Sequence, residues 1–229
     1  LNIAMLEVDL DFCRGFINFL RTAKNRRLKS EERTISNCTG LQTQAVFTAA
    51  LNTALRDGII ERNPMTLLTS KERFHQQEST RVYLTIDELK RMMATPCDDG
   101  ELKKAFLFAC FTGLRLSDIR TFTWNKVLTT PNDSTRYIRV RMLKTQQVVN
   151  VPLSKDALGY LRETEDGDEP IFRLSSAASV IEQRLAEWAK KAGIEKHVTF
   201  HVSRHSYATM MLTIGVDIYT VSKLLGCRY

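Results

Sequence analysis

Two short stretches of this chain place cations where an anion could be gripped. In the first, Thr112-Gly113-Leu114-Arg115-Leu116-Ser117-Asp118, an arginine follows a glycine between an apolar segment and a polar helix start. Apolar neighbours on both sides imply that the Arg115 side chain begins in a partly buried place, where a guanidinium needs a partner. Asp118, three residues on, is close enough to orient it, and a plain helical Arg–Asp pair would explain the stretch equally well. In the second, His201-Val202-Ser203-Arg204-His205, a helix puts His201, Arg204 and His205 on one face at i, i+3 and i+4. Three basic groups on one face repel one another unless an anion sits among them, and a phosphate would serve. The plainer alternative is a half-buried helix with satisfied histidines. Lys144, between two β-rich runs, is by itself an ordinary turn lysine.

Taken together these groups fit one chemistry. An arginine pair can clamp two non-bridging oxygens of a phosphodiester and stabilise the charge that grows in a pentacoordinate transition state. A lysine or histidine can protonate the departing oxygen. The cations are built in, so the sequence calls for no metal and no cofactor. Other chemistries lack their motifs: there is no GxxxxGK[ST] phosphate loop, no GxGxxG after a strand and no GxSxG elbow. His201 and His205 have the spacing of two zinc ligands, but Val202 stands where HExxH needs Glu, and Arg204 would set a fixed charge beside the metal.

The elements that must position these groups can be read from periodicity. Hydrophobic residues make up 43% and charged residues 26% of the 229, an ordinary globular mix that excludes disordered and low-complexity classes. Leu6 to Arg21 and Leu41 to Arg56 carry apolar residues at helical spacing, and Asp57-Gly58 ends the second. Thr69 to Arg81 is polar and reads as a linker. This gives a helical domain over 1–68, a linker over 69–80 and a second domain over 81–229. The second opens on the capping box Thr85-Ile86-Asp87-Glu88, continues in an apolar helix over 100–112, and changes period at Tyr137–Val151, which reads as a β-hairpin around Lys144. Helices follow over 176–192, 201–214 and 217–225. The fold class is mainly α with a small antiparallel β-sheet (α+β).

Lys and Arg number 33 against 26 Asp and Glu, a net charge of +7, which favours an anionic partner such as nucleic acid. Lys24, Arg26, Arg27, Lys29 and Arg33 form a basic cluster near the start, either a solvated helix end or a contact with a phosphate backbone. The longest nearly apolar run, 105–114, has about half the residues a spanning helix needs, so no membrane is expected. No signal peptide is visible at the N-terminus, which also lacks Met, so residues upstream are expected to have been lost or trimmed. Five cysteines without a CxxC pair point to reduced thiols and the cytoplasm.

The ordered set TGLRLSDI (112–119), MLKTQQVVNVPL (142–153) and HVSRHSYATMMLTIGVDIYTVSKLLG (201–226) resembles the tyrosine recombinase (phage integrase) family. The likeness runs over most of 81–226, and it is similar to integrases of bacterial mobile elements such as conjugative transposons. It implies a helical core-binding domain followed by a catalytic domain. It implies that Arg115 and Arg204 bind the scissile phosphate and that Lys144 is the general acid toward the 5′ oxygen. His201 would assist, Asp118 would orient the site and His205 would pack beside Arg204. A tyrosine would then form a 3′-phosphotyrosyl link to DNA, conserving bond energy without ATP.

The pattern breaks near the end. The family usually has His or Trp just after LLG; here it is Cys227. The family's nucleophilic tyrosine lies further beyond that position than Tyr229 does, so the expectation is a chain cut short before its nucleophile. Tyr219 and Tyr207 read as packing residues. The resemblance further implies double-stranded DNA as partner and a homotetramer on DNA, with a monomer expected in solution. The alternative is a catalytically inactive DNA-binding regulator of the same fold.

Overall fold

The computed structural model describes residues 3–25, 34–77, 81–132, 134–162 and 167–227. The chain divides into two compact units, Leu1–Thr80 and Arg81–Tyr229.

The first unit is built on two helices, α1 (Leu10–Thr22) and α2 (Asn37–Arg56). The first starts four residues later than its periodicity suggests, because the Asp9 carboxylate accepts the Phe12 N–H at 2.8 Å and caps it there. The second starts four residues earlier, at the Ser36 cap. Cys13 and Ile17 of α1 pack on Leu51 of α2, with Met65 and Leu68 closing the core. Residues 69–77, polar enough to read as a linker, are folded back onto this unit. Phe74 packs on the unit's core and its N–H donates to Gln44 Oε1 at 2.8 Å, while Arg14 pairs with Glu72 at 2.8 Å. One aromatic ring anchors a segment whose composition is otherwise that of a loop.

In the second unit the capping box forms as read: Thr85 Oγ1 accepts the Glu88 N–H and Glu88 Oε2 accepts the Thr85 N–H, starting α3 (Ile86–Ala94). Helix α4 (Gly100–Thr112) is apolar from Ala105 on, and every residue from Ala105 to Cys110 is buried. Phe106 meets Trp188 and Phe200 edge-to-face with ring centroids 5.9 and 5.8 Å apart. The short α5 (Leu116–Arg120) follows, then an antiparallel sheet in the order β1 (Val127–Thr129), β2 (Arg136–Arg141), β3 (Val148–Pro152). The hairpin pairs Ile138 with Val151 and Val140 with Val149, all four buried, and turns Arg139 and Arg141 outward. Strand β1 is too short for its alternation to show in the sequence. After α6 (Lys155–Leu158) come α7 (Ala178–Lys191), α8 (Phe200–Thr213) and α9 (Ile218–Leu224). Among the described residues no helix is long and apolar enough to cross a membrane.

Candidate active site

The site lies where α4, α5, α8, α9 and the β2–β3 turn meet. Gly113 ends α4 in the left-handed region, φ +68°. That reversal makes Arg115 the residue on which α5 starts, with Leu114 buried beside it. Arg115 is half-buried, and its Nη1 is shielded from solvent without a hydrogen-bond partner.

Arg204 comes from the buried side of α8 and is only 5% exposed. Its Nη1 donates to Gly113 O at 2.7 Å and its Nη2 to Leu225 O, so one guanidinium ties the end of α4 to the end of α9. Burial, and next the charge of Arg115, push the Arg204 pKa down to about 10, against the pull of the nearby Cys227 and Asp118. Arg204 stays charged at neutral pH, and an anion between the two arginines would relieve their repulsion.

Asp118 is 1% exposed. The expected Arg115–Asp118 pair does not form. Asp118 Oδ1 instead accepts the Leu143 N–H at 2.9 Å, and Oδ2 has no hydrogen-bond partner. The carboxylate thus fastens α5 to the turn that carries Lys144. That turn is closed by Gln146 N–H to Met142 O and Met142 N–H to Gln147 O, both 2.8 Å. Lys144 sits exposed on it.

His201 and His205 stack edge-to-face, centroids 4.6 Å apart and planes at 87°. Both have pKa values below the ordinary histidine value. Burial is the main cause, followed for His201 by His205, Arg204, Arg115 and Arg81, and for His205 by Arg81 and Arg204. Both rings are therefore neutral at pH 7 and can accept a hydrogen bond or a proton. Two further cations were not visible in sequence spacing. Arg81 arrives from the start of the unit. Lys126 Nζ donates to Thr121 O, with its pKa lowered by burial and partly restored by Asp118. Both reach the site from elements whose proximity to α5 and α8 only the folded chain creates.

Tyr207 is 2% exposed and burial pushes its phenol up to about 12, so it is a packing residue and not a nucleophile. Tyr219, expected in the core, is 59% exposed, because α9 turns Val221 inward and leaves Tyr219 on the outer face. Among the described residues no three His, Cys, Asp or Glu lie together as a metal site would need. Lys24 is exposed and bridges to Thr34. Arg26, Arg27, Lys29, Arg33 and Tyr229 lie outside the described residues.

The phage integrase family profile matches residues 82–228, the stretch that holds every group of this site except Arg81. The chain belongs to the phage integrase family. The SAM-like domain profile of phage integrases matches residues 1–74. A tyrosine recombinase of Thermosipho africanus is 30% identical over 179 residues, covering 74% of this chain and 60% of that protein. The tyrosine recombinase XerC of Neisseria meningitidis serogroup B is 33% identical over 165 residues, covering 66% of this chain and 54% of that protein. The chain thus spans a little over half the length of the curated relatives it matches. Among solved structures, a lambda integrase (75–356) dimer bound to a COC′ core site superposes with a TM-score of 0.72 at 19% identity, over 100% of this chain and 79% of that one. The Tn1549 transposon integrase in complex with circular intermediate DNA gives 0.68 at 17% identity, over 97% and 78%. The fold is that of the integrases: mainly helical with a small antiparallel sheet.

Proposed function

We propose that this phage integrase family chain acts in site-specific DNA recombination, cutting and rejoining duplex DNA through a 3′-phosphotyrosyl intermediate. The observation that carries the reading is the meeting of Arg115 and Arg204, delivered by separate helices, with the charge of Arg115 bearing on the buried Arg204, in a chain of net charge +7. A phosphodiester between them takes two charge-assisted hydrogen-bond partners and offsets their repulsion. As a tyrosine hydroxyl attacks phosphorus, the arginines bind the growing equatorial charge. The P–O5′ bond breaks, and Lys144 delivers a proton to the departing oxygen. His201, held neutral, accepts or relays a proton, with His205 packed against it. Asp118 keeps the Lys144 turn in register with α5, and Cys227 occupies the place of the family's His or Trp. The helical first unit holds the duplex through Lys24, Arg26, Arg27, Lys29 and Arg33. The working assembly is a homotetramer on DNA, of a mobile-element type, in the cytoplasm, consistent with five cysteines that form no disulfide.

The test is covalent capture of the gene product on nicked duplexes bearing candidate sites. The expected result is a protein–DNA adduct whose rate of formation falls about 10²–10³-fold in Arg115→Ala. Adduct formation at the wild-type rate in that variant would refute the reading. One observation favours a second reading, a DNA-binding protein without cleavage: a cysteine, not a histidine or tryptophan, stands at position 227. Salt-dependent duplex binding with no adduct on any site would install it.

A further inference from the structure

Arg81 opens the second unit and is held beside the site by its neighbours. The Leu84 N–H donates to Ser206 Oγ at 2.8 Å, one residue past His205 on α8. On the other side Lys196 Nζ donates to Tyr83 O at 3.0 Å and lies 5.4 Å from the Tyr83 ring centroid. Alternation along this extended segment buries Leu84, packs Val82 on the core and turns Arg81 and Tyr83 outward. Arg81 is near enough to His201 and His205 for its charge to bear on both rings. Among the described residues it has no hydrogen bond or ion pair. Glu88 is engaged by Lys196 at 2.6 Å and Asp118 by the Leu143 amide.

The charges then do not balance with one phosphate. Arg115, Arg204 and Arg81 bring three guanidiniums around the histidine pair, and Lys126 and Lys144 add to the positive excess. Asp118 and a single phosphodiester offset only two of these charges. We propose that Arg81 binds a second phosphodiester, the one next along the strand from that held between Arg115 and Arg204. The inference rests on the phosphate-site reading above. The anchored backbone supports it: Leu84, three residues on, is bonded to the helix that carries His201, Arg204 and His205, which keeps the start of the segment beside that helix.

The experiment is a salt titration of the full chain with a mixed-sequence duplex, read by fluorescence anisotropy. Each phosphate contact adds about 0.9 to the slope of log affinity against log salt. Arg81→Ala is expected to lower the slope by about 0.9, so that a four-fold rise in salt weakens it about 3.5-fold less than wild type. Arg81→Lys is expected to keep the wild-type slope, since the slope counts charges. A wild-type slope in Arg81→Ala, alongside a reduced slope in Arg115→Ala, overturns the Arg81 inference alone. Unchanged slopes in both overturn the phosphate-site reading with it. The same unfolding midpoint for wild type and Arg81→Ala confirms that an exposed charge, not the fold, was removed.

Discussion

Gly113 is where backbone geometry and site geometry coincide, and replacing it by alanine tests both. Its φ of +68° costs an L-residue about 1–2 kcal/mol. The added Cβ would stand 2.6 Å from Tyr207 Cδ1 and 2.8 Å from Leu225 Cδ2, closer than carbon atoms approach. Both neighbours are at most 9% exposed, so neither can swing into solvent. Forcing one methyl into a packed core costs about 1–3 kcal/mol more. The sum is a loss of about 2–5 kcal/mol. Urea unfolding followed by tryptophan fluorescence reads it cleanly, since Trp124 and Trp188, the chain's two tryptophans, both lie in the second unit. Gly215→Ala is the control. There φ is +92° and nothing lies within 4 Å of the added Cβ, so only the backbone cost applies. The Gly113 carbonyl is also the acceptor for Arg204 Nη1, so Gly113→Ala should weaken DNA binding where Gly215→Ala does not. A Gly113→Ala loss no larger than the Gly215→Ala loss would refute the packing argument.

Asp118→Ala removes the acceptor of the Leu143 N–H and should cost about 1.5–3 kcal/mol, seen as about 10–150-fold faster exchange of that amide; unchanged exchange would mean that the turn holds itself. His201 and His205 both titrate below the ordinary value of 6.5, so the unfolded chain takes up their protons first. Their contribution to stability is present above pH 6.5 and is lost as pH falls below it toward their folded values. A His201→Gln, His205→Gln double variant should flatten that part of the urea-midpoint profile. Cys38 and Cys227 are exposed and should react with a thiol reagent in the folded protein. Cys110, whose thiol burial pushes far up, and Cys13, pushed up to about 11, should react only on unfolding. Duplex DNA should shield Cys227.

The sequence by itself determined most of the elements and the identities of the candidate site residues. A capping box, a strongly apolar helix and a period-2 hairpin are local signals, carried by neighbours in the chain. The TGLR and HVSRH motifs announced a pair of guanidiniums for the same reason. What the tertiary structure decided is which partners those groups meet. Asp118 is three residues from Arg115, and helical spacing pairs them, yet the carboxylate goes to an amide 25 residues away because the hairpin packs over α5. Helical spacing put Arg204 on one basic face with His201 and His205, but it points inward and bonds two carbonyls at helix ends, 91 and 21 residues distant. Tyr219 carried an aromatic ring to the outer face because α9 spends its inward positions on Val221 and Leu225. Arg81 had no motif at all; a hydrogen bond across 122 residues, from Leu84 to Ser206, brings it to the histidines. Contacts of that range have no periodicity to betray them, since they depend on how layers stack rather than on how a single element repeats.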